Sequence, residues 1–200
     1  VQSSWFEYPK LFFNPMRDYA PSPTIFRQAT LDDVEGIAEV LTLSFNHFNE
    51  VTFWVYPLIK IGVCQDLRKR LQNNEKENIC LIAVFINNTE GKVNQEILGT
   101  VELSFRENYR WAKKEKYAYI ANLAVRENCR RQGIASQLLS RCEQIAQENN
   151  YSHVYLHVLA SNHKARKLYL NNGYTIQQVE TDLFSLFIPS QRRLLLTKSL

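Results

Sequence analysis

The stretch YAYIANLAVRENCRRQGIASQLLSRCEQIAQENNYSHVYLHVLASNHKARKLYLNNGY, residues 117–174, decides how the chain folds. It opens with 117–125, a run of aromatic and aliphatic side chains in the pattern of a strand. A polar turn leads to Gly133. Residues 133–148 then take helical spacing, with Ile134, Leu138, Cys142 and Ile145 along one stripe. Residues 153–159 are strand-like again. Residues 162–170 form a short helix, which Asn171, Asn172 and Gly173 end in the manner of a left-handed cap. Strand, helix, strand and helix in this order make a βαβ unit with parallel strands.

Upstream, 24–29 form a short first strand. Thr30 caps a helix whose first turn holds Asp32 and Asp33, where acids complement the helix dipole. Val34, Ile37, Ala38, Leu41 and Phe45 follow at helical spacing, and a second helical stretch covers 54–71. Residues 79–86 are a strand ended by a turn cluster at 87–91, and 97–105 are its antiparallel partner. Downstream, 174–179 and 193–198 close the sheet. The order β, α, α, three strands, α, β, α, β, β predicts an α/β fold with a central mixed, mostly antiparallel sheet and helices on both faces. Residues 24–200 form the domain. Residues 1–23, rich in aromatics and interrupted by Pro9, Pro15, Pro21 and Pro23, are expected to be an irregular arm that packs on the domain or on a partner chain.

Composition narrows the function classes. A chain of 200 residues with 45% apolar content can bury one full core. The net charge of +4 is mild, and no Lys/Arg run is dense enough for a nucleic-acid groove; Arg192-Arg193 reads as a solvated face. Cys64, Cys80, Cys129 and Cys142 form no C-x-x-C pair, which argues against structural zinc or a redox dithiol and for a reducing compartment. No apolar run suits a membrane span, and no basic segment followed by an apolar one suggests a leader peptide. The chain starts at Val1, so residues before it are an open matter.

Arg130-Arg131-Gln132-Gly133-Ile134-Ala135 lies where the strand hands over to the amphipathic helix. Free N–H groups at a helix start bind anionic oxygens, Gly133 allows close backbone approach, and Arg130 or Arg131 adds charge-assisted hydrogen bonds. Asn162, Ala165, Tyr169, Gly173 and Tyr174 follow further along.

The first segment resembles the R/Q-x-x-G-x-G/A pyrophosphate loop of the GNAT acetyltransferase superfamily. The second resembles its N-x-x-A-x-x-x-Y-x-x-x-G-F/Y signature, and residues 24–43 look like its opening strand and helix. The resemblance implies a sheet splayed at the fourth strand. It also implies acetyl-CoA as co-substrate, with no metal. Leu123, Ala124 and Val125 would pair with the pantetheine arm. The loop Arg131, Gln132, Gly133, Ile134, Ala135 and Ser136 would hold the pyrophosphate, with Arg130 beside it. Asn162 would contact the cofactor, with His163 and Lys164 close by.

The resemblance also implies catalytic roles. Tyr169 stands where the family places a tyrosine that protonates the leaving thiolate, a transfer only mildly uphill between ordinary phenol and thiol. A core aromatic of a short helix would occupy the same position. Tyr155-Leu156-His157-Val158 closely resembles a strand of small, auxiliary-free eukaryotic N-terminal acetyltransferases. There the histidine and a tyrosine on the preceding strand, Tyr119 here, order the water that deprotonates the substrate. His153 shares a strand face with His157, but the two lack the third ligand a metal site needs.

The expected acceptor is a protein N-terminal α-amine, extending to lysine ε-amines. The alternatives are a small-molecule amine (polyamine, amino acid or antibiotic) and, in another class, a non-catalytic acetyl-CoA sensor. Loops at 46–53 and 180–193 would flank the acceptor. Tyr56-Pro57-Leu58-Ile59 and Asp66-Leu67-Arg68 look like segments of plastid acetyltransferases. The setting implied is cytoplasm, or plastid stroma for a plant chain, with the protein a monomer or homodimer.

Overall fold

The computed structural model describes residues 24–45, 55–72, 78–89, 92–110, 113–180 and 192–200. The expected arm at 1–23 and the loop at 46–53 lie outside these residues, as does most of the loop at 180–193.

Among the described residues, seven strands and four helices follow the order read from the sequence. They are β1 (Thr24–Gln28), α1 (Val34–Phe45), α2 (Tyr56–Gln72), β2 (Asn78–Thr89), β3 (Lys92–Arg110) and β4 (Lys113–Val125), then α3 (Ile134–Glu148), β5 (His153–Leu159), α4 (His163–Asn171), β6 (Thr175–Glu180) and β7 (Arg193–Ser199). The strands form one sheet in the order β1-β2-β3-β4-β5-β7-β6. Only β4 and β5 run parallel; the other neighbours are antiparallel. This is the mixed α/β fold expected.

Strand alternation explains the two cores. Along β2, Leu81 and Ala83 join a cluster with Leu138, Leu139 and Cys142 of α3. Cys80, Ile82 and Val84 join the opposite cluster, with Val34, Ile37 and Leu41 of α1 and Cys64 and Leu67 of α2. Successive side chains of a strand point to opposite faces, so a strand apolar at every position needs a cover on both.

Several strands outrun their sequence-based limits. The β2–β3 ladder continues through Asn87 to the pair Thr89 and Lys92, where a turn cluster is expected. The β3–β4 ladder continues to Arg110 and Lys113. Apolar alternation reports burial, whereas backbone pairing can persist past the covered part of a sheet.

The β1–α1 corner is fixed by charge. Thr30 precedes a short 3-10 turn at Leu31–Asp33 that runs into α1. The carboxylate of Asp33 accepts from the backbone N–H of Thr30 at 2.8 Å, from its hydroxyl at 2.9 Å, and from both Arg27 Nη atoms at 2.7 and 2.8 Å. Burial works against the charged carboxyl, but Arg27 and Thr30 outweigh it and hold the group below the ordinary carboxylate range. A depressed folded value stabilises above the unfolded pKa of about 3.9 and is lost as pH falls through the folded one. Asp33→Asn should therefore cost about 1 kcal/mol in urea unfolding at pH 7. The gap between variant and parent should close as the pH is lowered below the unfolded value.

Candidate active site

The site forms where β4 and β5 part. They pair only at Ala118, Tyr119 and Ile120 against Val154, Tyr155 and Leu156, although the strands run on to Val125 and Leu159. A bulge in β4 accompanies the parting. The β3–β4 register shifts between Thr100 and Glu102, and Asn122 adopts φ 52°. Asparagine tolerates this left-handed conformation better than most residues. Past Ile120 the inner edge of β4, including Leu123, Ala124 and Val125, has no strand beside it among the described residues. Its outer edge stays paired with β3 through Thr100–Ala124 and Gly99–Val125.

The turn expected to bind an anion, 130–135, sits at the open end. Arg131 has φ 67° and Gly133 φ 80°, and Gly133 caps α3. The first bond into the helix runs from Gln137 N–H to the Gly133 carbonyl at 3.0 Å. The N–H groups of Ile134, Ala135 and Ser136 are thus left pointing out of the helix start. With the dipole behind them, these groups fit a pyrophosphate. The two arginines differ. Arg130 Nε donates to the Val125 carbonyl at 3.1 Å, and its guanidinium faces Glu127 at 3.7 Å. Arg131 carries no such tie among the described residues, so it is the guanidinium available to a phosphate. Ser136 Oγ accepts from Asn172 Nδ2 at 3.2 Å, which fastens the start of α3 to the end of α4.

Asn162 caps α4, its side chain accepting from Ala165 N–H at 3.1 Å. His163 and Lys164 are exposed in the first turn of that helix. Gly173 takes φ 87°, and the Tyr174 N–H reaches back to the Tyr169 carbonyl at 3.1 Å, which is the left-handed ending expected.

The catalytic candidates approach from both faces of the sheet. Tyr169 belongs to the α3-side core at 8% exposure, its ring edge-on to Tyr174. Burial, with a smaller contribution from nearby Tyr119, pushes its phenol up to about 12. That changes the expectation of a mildly uphill proton transfer, which assumed an ordinary phenol. Val154, Leu156 and Val158 also face the α3-side core, so alternation turns His157 to the other face. There the Tyr119 hydroxyl lies 2.7 Å from His157 Nδ1. His157 is the first residue of β5 past the paired segment. Burial raises the Tyr119 phenol, Arg106 and Arg193 pull it back, and Glu180 adds to the rise.

Three neighbours of this pair escaped the sequence reading. His157 Nε2 lies 2.9 Å from Glu180 Oε1. The Arg106 guanidinium stacks 3.9 Å over the Tyr119 ring, and Arg193, read as part of a solvated doublet, acts on the same phenol. Glu180 marked only the edge of a loop in the sequence. Strand register across β6 and β7 was the missing information. His153 contacts Ser152 instead of joining His157, and among the described residues no three His, Cys, Asp or Glu side chains converge as a metal would require.

Residues 62–174 match the family model described as the acetyltransferase (GNAT) family, more than half of the chain. The chain belongs to that family. It is 27% identical over 166 residues to the Arabidopsis thaliana protein called GCN5-related N-acetyltransferase 10, chloroplastic. That alignment covers 80% of this chain but only 64% of the relative, so the chain spans less than two thirds of that protein. The fold is similar to that of the PaiA N-acetyltransferase of Thermoplasma acidophilum in complex with coenzyme A, at TM-score 0.64 and 17% identity over 88% of this chain and 99% of that one. It is also similar to a chain of the NatC complex bound to Gag peptide and CoA, at TM-score 0.62 and 17% identity over 88% and 98%.

An added Cβ at Gly133 meets nothing nearer than Gln137 Nε2 at 3.9 Å, so the glycine is there for its φ of +80° and not for space. Gly133→Ala should lower stability by about 1 kcal/mol through backbone strain. It should weaken coenzyme A binding as well, measurable by urea unfolding and titration calorimetry on one preparation.

Proposed function

We propose that the chain transfers acetyl from acetyl-CoA to protein N-terminal α-amines by direct attack, with lysine ε-amines as second acceptors. The observation that carries this reading is the 2.7 Å contact between Tyr119 Oη and His157 Nδ1 at the mouth of the β4–β5 gap. An amine must be neutral to attack, and this pair is a proton acceptor placed where the sheet opens. An α-amine has a pKa near 8 and a lysine near 10.4, so the lysine costs about 3 to 4 kcal/mol more to deprotonate. A modest base suits the α-amine.

Acetyl-CoA, when bound, supplies an activated thioester. The N–H groups of Ile134, Ala135 and Ser136, with Arg131, hold its pyrophosphate. The unpaired inner edge of β4 at Leu123, Ala124 and Val125 aligns the pantetheine arm as a neighbouring strand would. A β4 backbone N–H there steadies the negative charge that develops on the acyl oxygen. Tyr169, on the α3 side, would stand beside the leaving sulfur. A phenol near 12 gives up its proton to an ordinary thiolate only at a cost of up to about 5 kcal/mol. Tyr169 therefore acts as a hydrogen-bond donor to the developing thiolate. The chloroplastic name of the Arabidopsis thaliana relative supports a plastid setting for a plant chain.

A thiol-release assay across N-terminal peptides, internal-lysine peptides and small amines tests the reading. The expected order is α-amine peptides first, then lysine peptides; rates confined to small amines overturn it. Tyr169→Phe should lower kcat about 10-fold with coenzyme A affinity unchanged. His157→Ala should lower kcat/KM on the order of 100-fold, with the loss shrinking at high pH where the α-amine is already neutral.

A further inference from the structure

We propose that Glu180 is the positioning residue of the proton-accepting pair: it fixes which nitrogen of His157 carries hydrogen and balances the charge that the ring acquires. The inference rests on the acetyl-transfer reading above. An ionised carboxylate only accepts hydrogen bonds. With Glu180 Oε1 at 2.9 Å, His157 Nε2 must be the donor. In the neutral ring Nδ1 then holds a lone pair, and the Tyr119 hydroxyl 2.7 Å away must donate to it. The lone pairs of the Tyr119 oxygen are left for the acceptor ammonium or an intervening water.

The transfer balances. One N–H bond of the ammonium breaks as an O–H bond forms on Tyr119, and the original Tyr119 O–H bond breaks as Nδ1–H forms. The amine becomes neutral, and the positive charge resides on the imidazolium against Glu180. The opposite tautomer would have Nδ1–H donate to Tyr119, and the relay would have no acceptor.

The groups around the ring make the carboxylate necessary. Arg106 of β3 stacks on Tyr119, and Arg193 of β7 acts on the same phenol. Tyr117 of β4 and Tyr169 of α4 are neutral neighbours of Tyr119. Two guanidinium groups oppose a new positive charge. Glu180 is the one carboxylate among the described residues bonded to the ring.

The backbone shows how Glu180 reaches it. β7 lies between β5 and β6, with His157 opposite Leu195 and Leu195 opposite Gln178. The β6 register shifts between Ile176 and Gln178, a one-residue bulge at Gln177. Without that extra residue, alternation would place Gln177 and Val179 on the His157 face and turn Glu180 away. With it, Gln178 and Glu180 share the face of His157, and Glu180 reaches past Arg193 to the ring.

Imidazole nitrogen NMR of the 15N-labelled chain at neutral pH reads the tautomer without any turnover; His157→Ala assigns the signal among the four histidines. The Nε2–H form is expected in the parent. Glu180→Gln keeps an acceptor but removes the charge. It should lower kcat/KM roughly 10- to 100-fold with the KM for acetyl-CoA unchanged. It should also move the acid limb of the rate profile to lower pH, because the imidazolium loses its counter-charge. Glu180→Asp should recover part of the rate. An Nδ1–H parent, or a Glu180→Gln enzyme with the parent's pH profile, overturns the inference. A parent that acetylates no amine overturns the functional reading, while the tautomer spectrum still judges Glu180.

Discussion

Everything in this site depends on two parallel strands that stop pairing after three residues. Past Ile120 and Leu156, β4 and β5 each keep only their outer ladder, β4 with β3 and β5 with β7. Backbone N–H and C=O groups removed from water without partners cost free energy, so an opening inside a sheet is a place for something that hydrogen-bonds like a strand. The opening is held by neighbours that do not part. Gly99 of β3 lies so close that a Cβ there would meet the Ala124 carbonyl at 2.9 Å and Ile134 Cγ2 at 3.3 Å. A side chain at Gly99 would push the end of β4 and the start of α3 apart, and with them the turn and the strand edge beside the opening.

The two sides of the opening are chemically different. On the α3 side, Tyr169 is embedded among apolar residues and its phenol resists ionisation. On the other side, Tyr119 and His157 are half-buried among Arg106, Arg193 and Glu180. Acyl transfer to an amine needs a proton removed from the nucleophile and a negative charge steadied on the leaving sulfur. In the proposed reaction the sheet separates these tasks: the polar face takes up the charge that moves, and the apolar face offers a hydrogen bond that stays.

The parts legible in the sequence share a property: they are local. The turn from Arg130 to Ala135, the left-handed end at Gly173 and the stripe of α3 are fixed by residues within a few positions of one another. The order of elements followed from these. In the sequence, resemblance alone pairs Tyr119 with His157, and their contact depends on a parallel register that spacing does not set. What stayed hidden depends on where side chains and carbonyls point once the chain is packed. The difference between Arg130 and Arg131 lies in where the strand end points its Val125 carbonyl. The rise of Tyr169 comes from burial, which spacing along the chain does not report. The strand ends at 87–89 and 113–116 carry no apolar alternation.

Glu180 shows why that boundary matters for function. Its side chain meets His157 only because β6 carries one residue more than its partner β7 over the same span. Bulges re-aim side chains at the edges of sheets. β6 is such an edge, exposed over nearly its whole length, with little packing to demand a particular register. A strand with so little buried surface has no evident stability reason to hold an irregularity. The bulge directs an acid across β7 to a histidine, and the histidine's own strand has just lost its partner. The position of the proposed proton acceptor thus rests on two departures from regular pairing, one in β4 and one in β6, on opposite sides of β5.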